Sequence, residues 1–419
     1  MNNFNYCSIL VISLFVLACG DSKVYNPDRN FEDIQKQLLA EFIMVDDSAV
    51  IELEAGHFLF SKSLILEGKK HISIIGQGVD KTVLSFKGQT EGAEGIRIAN
   101  CENIMLKNFS IEDAAGDNIK VTDTRGIKFQ NIKSAWTGPV TEENGAYGIY
   151  PVLCQDVVVQ GCEVLGASDA GIYVGQSNNV VINNNKVYWN VAGIESENSQ
   201  NVQIFENNAY ENTGGILAFD LPGLTMYGRN VKIFDNHIHD NNMKNFAPAG
   251  NMVGIVPPGT GMLILATQDV EVYQNLIKDN KTIGIGIISY KILEALGSED
   301  QSGASGSRSE LESRHQNDEN YNPYVGDIYI HDKQINNTYS IPDLGHEFGQ
   351  LFLWKFWNDL PDIAWDGLLS PDYFTQDGNL NPDYRICIQE AESVKSVFLD
   401  AGNDFKNIQV NPKVFDCRK

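Results

Sequence analysis

Two glutamates, Glu195 and Glu197, stand two residues apart in Gly193-Ile-Glu-Ser-Glu, a short alternating stretch that reads as a strand. Alternation puts both carboxylates on one face, about 7 Å apart along the backbone. Paired carboxylates are the minimum equipment for glycosidic acid–base chemistry. Asp220 lies one repeat later, where an insertion begins, and joins them as a catalytic candidate. Asp169, in Gly166-Ala-Ser-Asp-Ala-Gly, is a fourth candidate, although a turn aspartate bonding backbone amides is the favoured reading there. Tyr147, Tyr150 and Tyr173, with Arg97 and Lys120, are candidate substrate-binding residues, because aromatic faces and polar groups together suit sugars. Oxygen ligands at Glu195, Glu197 and Asp220 would suit calcium, although nothing in their spacing demands it, and the cofactor stays open. His237 and His239, with Asp240 and Glu211, are weak metal candidates; an aromatic stack with Tyr188 and Tyr210 is the simpler reading.

These residues are set in register by a repeat of about 22 residues. Ile96, Ile119, Ile149, Ile172, Ile194 and Ile216 mark it, and each copy reads roughly Gly-Ile-x-Val, a small polar residue, then Asn-Val-x-Ile-Asn. Short alternating strands broken by Asn and Gly are coils of a β-solenoid. With isoleucine inward, x points outward, giving the column Arg97, Lys120, Tyr150, Tyr173, Glu195, Leu217 and its neighbour Gly175, Glu197, Phe219. The expected result is a solvated strip with cations at one end, tyrosines in the middle and carboxylates beyond. Binding without chemistry remains an alternative to catalysis on that strip.

Polar columns accompany the isoleucines. One holds Cys101, Thr124, Cys154, Ser177, Ser199 and Thr267, another Asn103, Asp156, Asn179, Asn201, Asn230 and Asp269, and a third Asn185, Asn207, Asn236 and Asn275. They read as structural ladders at the corners. Insertions at 134–147, 220–229, 241–260 and 293–324 interrupt the repeat, and excursions on a stiff scaffold are where function concentrates.

Residues 30–44 carry Phe31, Ile34, Leu38 and Phe42 at helical spacing, with Asn30 as the expected N-cap, and predict a helix covering the open end of the solenoid. Residues 29–340 are expected to form the capped β-helix and 341–419 an aromatic-rich, irregular C-terminal cap. The strand succession Ala49-Val-Ile-Glu-Leu-Glu-Ala-Gly-His-Phe-Leu-Phe, Leu64-Ile-Leu and Ile72-Ser-Ile-Ile-Gly-Gln-Gly resembles the opening coils of pectin-lyase-like right-handed parallel β-helices, so the expected fold class is all-β, of that kind.

The first 18 residues read as a signal peptide, and Val16-Leu-Ala-Cys-Gly resembles a bacterial lipobox in which Cys19 carries lipid. Residues 19–28 would then be a tether, and the chain would sit lipid-anchored in a bacterial cell envelope, facing the periplasm or the cell surface. The segment before the apolar run lacks Lys and Arg, a departure from the usual pattern. Export makes a disulfide between Cys387 and Cys417 plausible. Cys101 and Cys154 are two coils apart, about 10 Å, too far to bridge. Cys162 is expected to be buried and free. The net charge of −24 disfavours nucleic acid and anionic membrane surfaces as partners. No P-loop, Gly-x-Ser-x-Gly elbow or His-Glu-x-x-His sequence is present, which argues against phosphoryl transfer, serine hydrolysis and zinc proteolysis.

The stretches Gly145-Ala-Tyr-Gly-Ile-Tyr-Pro-Val, Gly166-Ala-Ser-Asp-Ala-Gly-Ile-Tyr-Val-Gly-Gln-Ser, Gly214-Gly-Ile-Leu-Ala-Phe-Asp-Leu-Pro-Gly-Leu and Asn245-Phe-Ala-Pro-Ala-Gly-Asn resemble an uncharacterised family of exported bacterial parallel β-helix repeat proteins. The resemblance covers most of the chain after the signal. It implies export, and it implies pairing with a second exported family that has haem-containing members. A docking scaffold for such a redox-type partner is therefore the alternative to a glycan-active protein. The chain has no Cys-x-x-Cys-His and attaches no c-type haem itself. The acidic 298–322 stretch is longer than the family leads one to expect.

Overall fold

The computed structural model describes residues 23–292, 318–332, 334–389, 393–412 and 415. The expected signal peptide, Cys19, Cys417 and most of the 293–324 insertion lie outside the described residues.

The chain winds into a parallel β-helix. A representative coil contributes Gln155–Gln160, Glu163–Leu165 and Ala170–Gly175, and each pairs in parallel with its counterpart in the next coil. The isoleucine register holds residue for residue: Ile149 pairs with Ile119 and Ile172, Ile172 with Ile194, Ile194 with Ile216, and Ile216 with Met262. Their side chains, with the inward Val and Ile of the other faces, are fully buried in one continuous core. Each inner strand has a parallel partner on both sides, and the stacked apolar side chains pack against one another coil on coil.

The corners explain the asparagines. Asn103, Asp156, Asn179, Asn201, Asn230 and Asp269 all have φ between 52° and 61°, a left-handed region that short polar side chains tolerate best. Asn185, Asn207, Asn236 and Asn275 form a buried ladder in which each Nδ2 donates to the next Oδ1 across 2.9 Å. A second ladder, absent from the sequence reading, runs through Asn190, Asn212, Asn241 and Asn280 at 3.0 to 3.1 Å. In the small-polar column the Ser177 hydroxyl accepts from the Cys154 amide at 3.0 Å and the Ser199 hydroxyl from Ser177 at 3.1 Å. Cys101, Cys154 and Cys162 are buried and free.

Three boundaries differ from expectation. The N-terminal helix spans Gln35–Met44 and buries Leu38 and Phe42, but Asn30 does not cap it. Residues before the helix are drawn into sheet pairing instead: the Glu32 amide donates to the His57 carbonyl at 2.8 Å, leaving Phe31 39% exposed. Residues 23–28, expected as tether, lie against the coils. Val24–Tyr25 pairs antiparallel with Gly138–Pro139, and Lys23 meets Glu211 at 3.0 Å. Just beyond, the Arg29 guanidinium and the Tyr25 hydroxyl both reach the buried Glu112 carboxylate, at 2.9 and 3.1 Å. Finally, parallel pairing runs past residue 340. Ile363–Trp365 pairs with Ile283–Ile288 and with Ser396–Phe398, and Ile386–Gln389 pairs with Gly326–His331. Trp365 is buried in the same core, and the antiparallel Gln409–Val410 closes that edge. The segment after 341 is thus partly further coil, with the helix Glu347–Phe356 laid against it. Among the described residues no helix is long and apolar enough to cross a membrane.

Candidate functional site

Strand pairing places the candidate residues as the alternation requires. Arg97 pairs with Lys120 and Lys120 with Tyr150, while Tyr173 pairs with Glu195 and Glu195 with Leu217. Gly175, Glu197 and Phe219 form the neighbouring column. Gly175 has a steric reason to lack a side chain, because a Cβ there would collide with the Tyr173 ring.

The face is not a solvated strip. Glu195 is 2% exposed, Leu217 3% and Tyr173 5%. Loops 220–229 and 241–260, together with Tyr321, fold over the outward side chains and make a second apolar core that includes Val253, Val256, Leu263 and Leu265. The cover is tied down by polar groups. Asn198, wholly buried, donates to the Leu221 and Met226 carbonyls at 3.0 and 2.8 Å and accepts from the Leu221 amide at 2.8 Å. Asn245 bridges the Val253 and Val256 carbonyls, each at 3.0 Å. Asp318 receives the Tyr227 hydroxyl and the Gly223 amide.

Between this cover and the sheet lies a cleft of about 410 Å³. Tyr147, Asp169, Glu195, Glu197 and Asn251 supply its polar lining, and Phe219, Leu221 and Val253 are among its apolar walls. The Tyr147 hydroxyl donates to Asp169 Oδ2 at 3.2 Å. Burial pushes the Asp169 carboxyl up to about 7, against the pull of that hydrogen bond. Glu197 is also pushed up to about 7, chiefly by burial, with the Tyr173 hydroxyl pulling the other way. Burial, then the neighbouring Asp169 and Glu197 charges, hold the Glu195 carboxyl well above the usual carboxylate range. No group among the described residues hydrogen-bonds that carboxyl. Neighbouring carboxyls held above their usual range in a cleft are the arrangement general acid–base chemistry uses.

The other candidates take different places. Asp220 is 4% exposed and accepts the Gly228 amide on both carboxylate oxygens, at 2.8 and 2.9 Å. It pins the 220–229 loop, and it stands behind the cleft, near enough to raise Glu197. Asp169 also departs from the turn reading, since its side chain faces the cleft and bonds a tyrosine. Tyr150 and Tyr173 pack against Tyr147, with ring centroids 4.5 to 4.8 Å apart, and so support the one tyrosine that lines the cleft. Lys120 lies 3.5 Å from Asp117 and 3.8 Å from Glu94, with its ammonium 4.9 Å from the Tyr150 ring centroid. Neither Lys120 nor Arg97 lines the cleft. His237 and His239 belong to another face, where Tyr188, Tyr210 and His239 stack at 5.1 and 5.2 Å. His239 bonds Asp240 at 2.8 Å and Asn208 at 3.1 Å. Among the described residues no three His, Cys, Asp or Glu side chains are grouped so as to hold a metal ion, at His237 and His239 or at Glu195, Glu197 and Asp220. Cys387 lies on its strand, but its expected partner Cys417 is outside the described residues.

Sequence reasoning pointed to the 241–260 loop but did not single out Asn251, Met252 and Val253 as its wall, and it missed the clamp role of Asn198. The wall residues sit in an insertion with no period to read. Asn198 carried a faint signal, as a corner residue with φ of 45° immediately ahead of the small-polar column.

Residues 50–221 match the family described as right handed beta helix region. No curated protein matches the chain in sequence. Among solved structures, the A-module of the mannuronan C-5 epimerase AlgE4 from Azotobacter vinelandii is similar at 16% identity, with a TM-score of 0.46, over 81% of this chain and 89% of that one. The catalytic unit of an alpha-1,3-glucanase from Streptomyces thermodiastaticus is similar at 14% identity, TM-score 0.44, over 84% and 50%. A DFA-IIIase from Arthrobacter chlorophenolicus is similar at 12% identity, TM-score 0.41, over 57% and 68%.

Proposed function

We propose that this right-handed parallel β-helix is an exported, glycan-active protein whose working site is the covered cleft at Tyr147, Asp169, Glu195 and Glu197. One observation carries the reading: Glu195, 2% exposed and without a hydrogen-bond partner among the described residues, lines a cavity the size of a sugar unit or two. A buried acid without a partner destabilises the fold, so its presence points to a role in the bound state. Glu195, Glu197 and Asp169, all held above the usual carboxylate range by burial, divide the acid and base roles between them. Tyr147 offers its ring to a sugar face. Lyase, epimerase and hydrolase chemistry all use such a pair. Anchoring through Cys19 in a bacterial envelope and a Cys387–Cys417 disulfide belong to the same proposal. A glycan array with and without calcium, followed by turnover assays on any ligand found, tests it. Glu195→Gln should keep binding and lose turnover; retained turnover counts against the assignment.

A second reading is supported by Trp354 and Trp357, 76% and 71% exposed at the end of the helix Glu347–Phe356. Exposed tryptophans are favoured anchors of protein interfaces. On this reading the chain docks an exported haem-containing partner through that end. Loss of co-purification on replacing both tryptophans with alanine, with the cleft intact, would support it.

A further inference from the structure

Resting on the glycan reading, the inference concerns which sugars the cleft admits. We infer that the cleft takes a glycan without acid groups, neutral or aminated, and turns uronates away. Three carboxyl groups line it, and none of its lining residues is Lys, Arg or His. Asp220 stands close behind Glu197 and adds a fourth. The one cation on the neighbouring strand, Lys120, is held between Asp117 and Glu94 and capped by the Tyr150 ring, so its charge is answered before any ligand arrives. The cover adds no cation, since Leu221 and Val253 present hydrocarbon and Asn251 a neutral amide.

A uronate entering this space would add one more negative charge to three crowded carboxyl groups under a low-dielectric cover, with no cation in the lining to answer it. The chemistry agrees. Removing the C5 proton of a uronate builds charge on its C6 carboxylate, which needs a cation or a set of donors beside it. The lining offers three carboxyl groups, of Glu195, Glu197 and Asp169, and no cation. Sugar hydroxyls both donate and accept and an ammonium group donates, so either can pair with these groups whichever protons they hold, whereas a carboxylate only accepts.

The test uses the intact chain and three forms of one oligosaccharide backbone at pH 7: C6 as alcohol, C6 oxidised to carboxylate, and an amino form. Calorimetry reads affinity. The expected result is that the alcohol or amino form binds at least about tenfold more tightly than the carboxylate, a difference of about 1.4 kcal/mol. Glu195→Gln and Glu197→Gln should shrink that ratio, and each keeps side-chain volume so that folding can be checked by circular dichroism. A carboxylate form bound as tightly as its neutral partner overturns the inference and leaves the glycan reading standing. A series of backbones of which none binds in any form overturns both.

Discussion

The Tyr147 hydroxyl and Asp169 Oδ2 meet at 3.2 Å, joining residues 22 positions apart in the chain but on adjacent coils. This contact is the hinge of the candidate site. It turns an aspartate at a strand entrance toward the cleft and fixes the edge of the ring that a sugar would meet. Tyr147→Phe removes the donor and keeps the ring. The Asp169 carboxyl, losing the one interaction that lowers its pKa, should titrate above about 7. Carbon-13 chemical shifts of the aspartate carboxyls through a pH titration would measure the displacement.

Stability should depend on pH with a sign opposite to that of salt-bridged carboxylates. Asp169, Glu197 and Asp220 have folded pKa values raised to about 7 from ordinary values of 3.8 to 4.5. Below the ordinary values both states are protonated and nothing changes. Between about pH 4 and about pH 7 the unfolded chain has released these protons and the folded chain retains them, so the unfolded state binds fewer protons and stability falls as pH rises. Above about pH 7 this contribution levels off. Urea midpoints at pH 4.5, 6 and 8 should decline in that order for this part of the molecule, and the Glu197→Gln variant should show a shallower decline.

Glu195→Gln should be stabilising at high pH. The native side chain must either keep a proton or bury an unpaired charge, and the amide does neither. At pH 8 the gain should be on the order of 1 kcal/mol, shrinking toward pH 5. A variant more stable than the parent yet without turnover would mark Glu195 as a residue retained for work rather than for folding. Equal stability at both pH values would sink that reading.

Arg29→Ala should loosen the N-terminal strap. Glu112 is wholly buried, and one of its oxygens already lacks a partner. Removing the guanidinium leaves a buried carboxylate held by the Tyr25 hydroxyl alone, a loss of about 3 kcal/mol. Hydrogen exchange should report faster opening at Val24, Tyr25 and Gly138. The double variant Arg29→Met, Glu112→Met should recover most of the loss, because matched apolar groups replace a buried pair well.

Much of the scaffold was legible because two periods do not interfere: alternation within a strand decides in from out, and a spacing of about 22 decides which residues stack. Ile194 predicts Ile216, and Glu195 then follows as outward. What covers Glu195 was not legible. The loops that bury it have no period, and their closure depends on contacts from distant residues, Asn198 to Met226 and Tyr321 to Asp220. The same blindness hid the left edge of the fold. Asn30 has the chemistry of an N-cap, yet the strand pairing of Glu32 outcompetes it, and no local pattern announces a pairing with His57. The second asparagine ladder repeats the spacing of the first and could have been read beside it.

The asparagine ladder also separates two kinds of change. Successive members lie 22, 29 and 39 residues apart along the chain, yet each meets the next at 2.9 Å. Loop length grows between rungs and the rungs do not notice, since closing a longer loop costs only the logarithm of its length. The loop residues between Asp220 and Arg229 and between Asn241 and Thr260 can therefore be exchanged for others while the ladders and coils beneath keep their register. The molecule is in this sense a chassis with an interchangeable roof, and new specificities should be reachable by loop grafting alone.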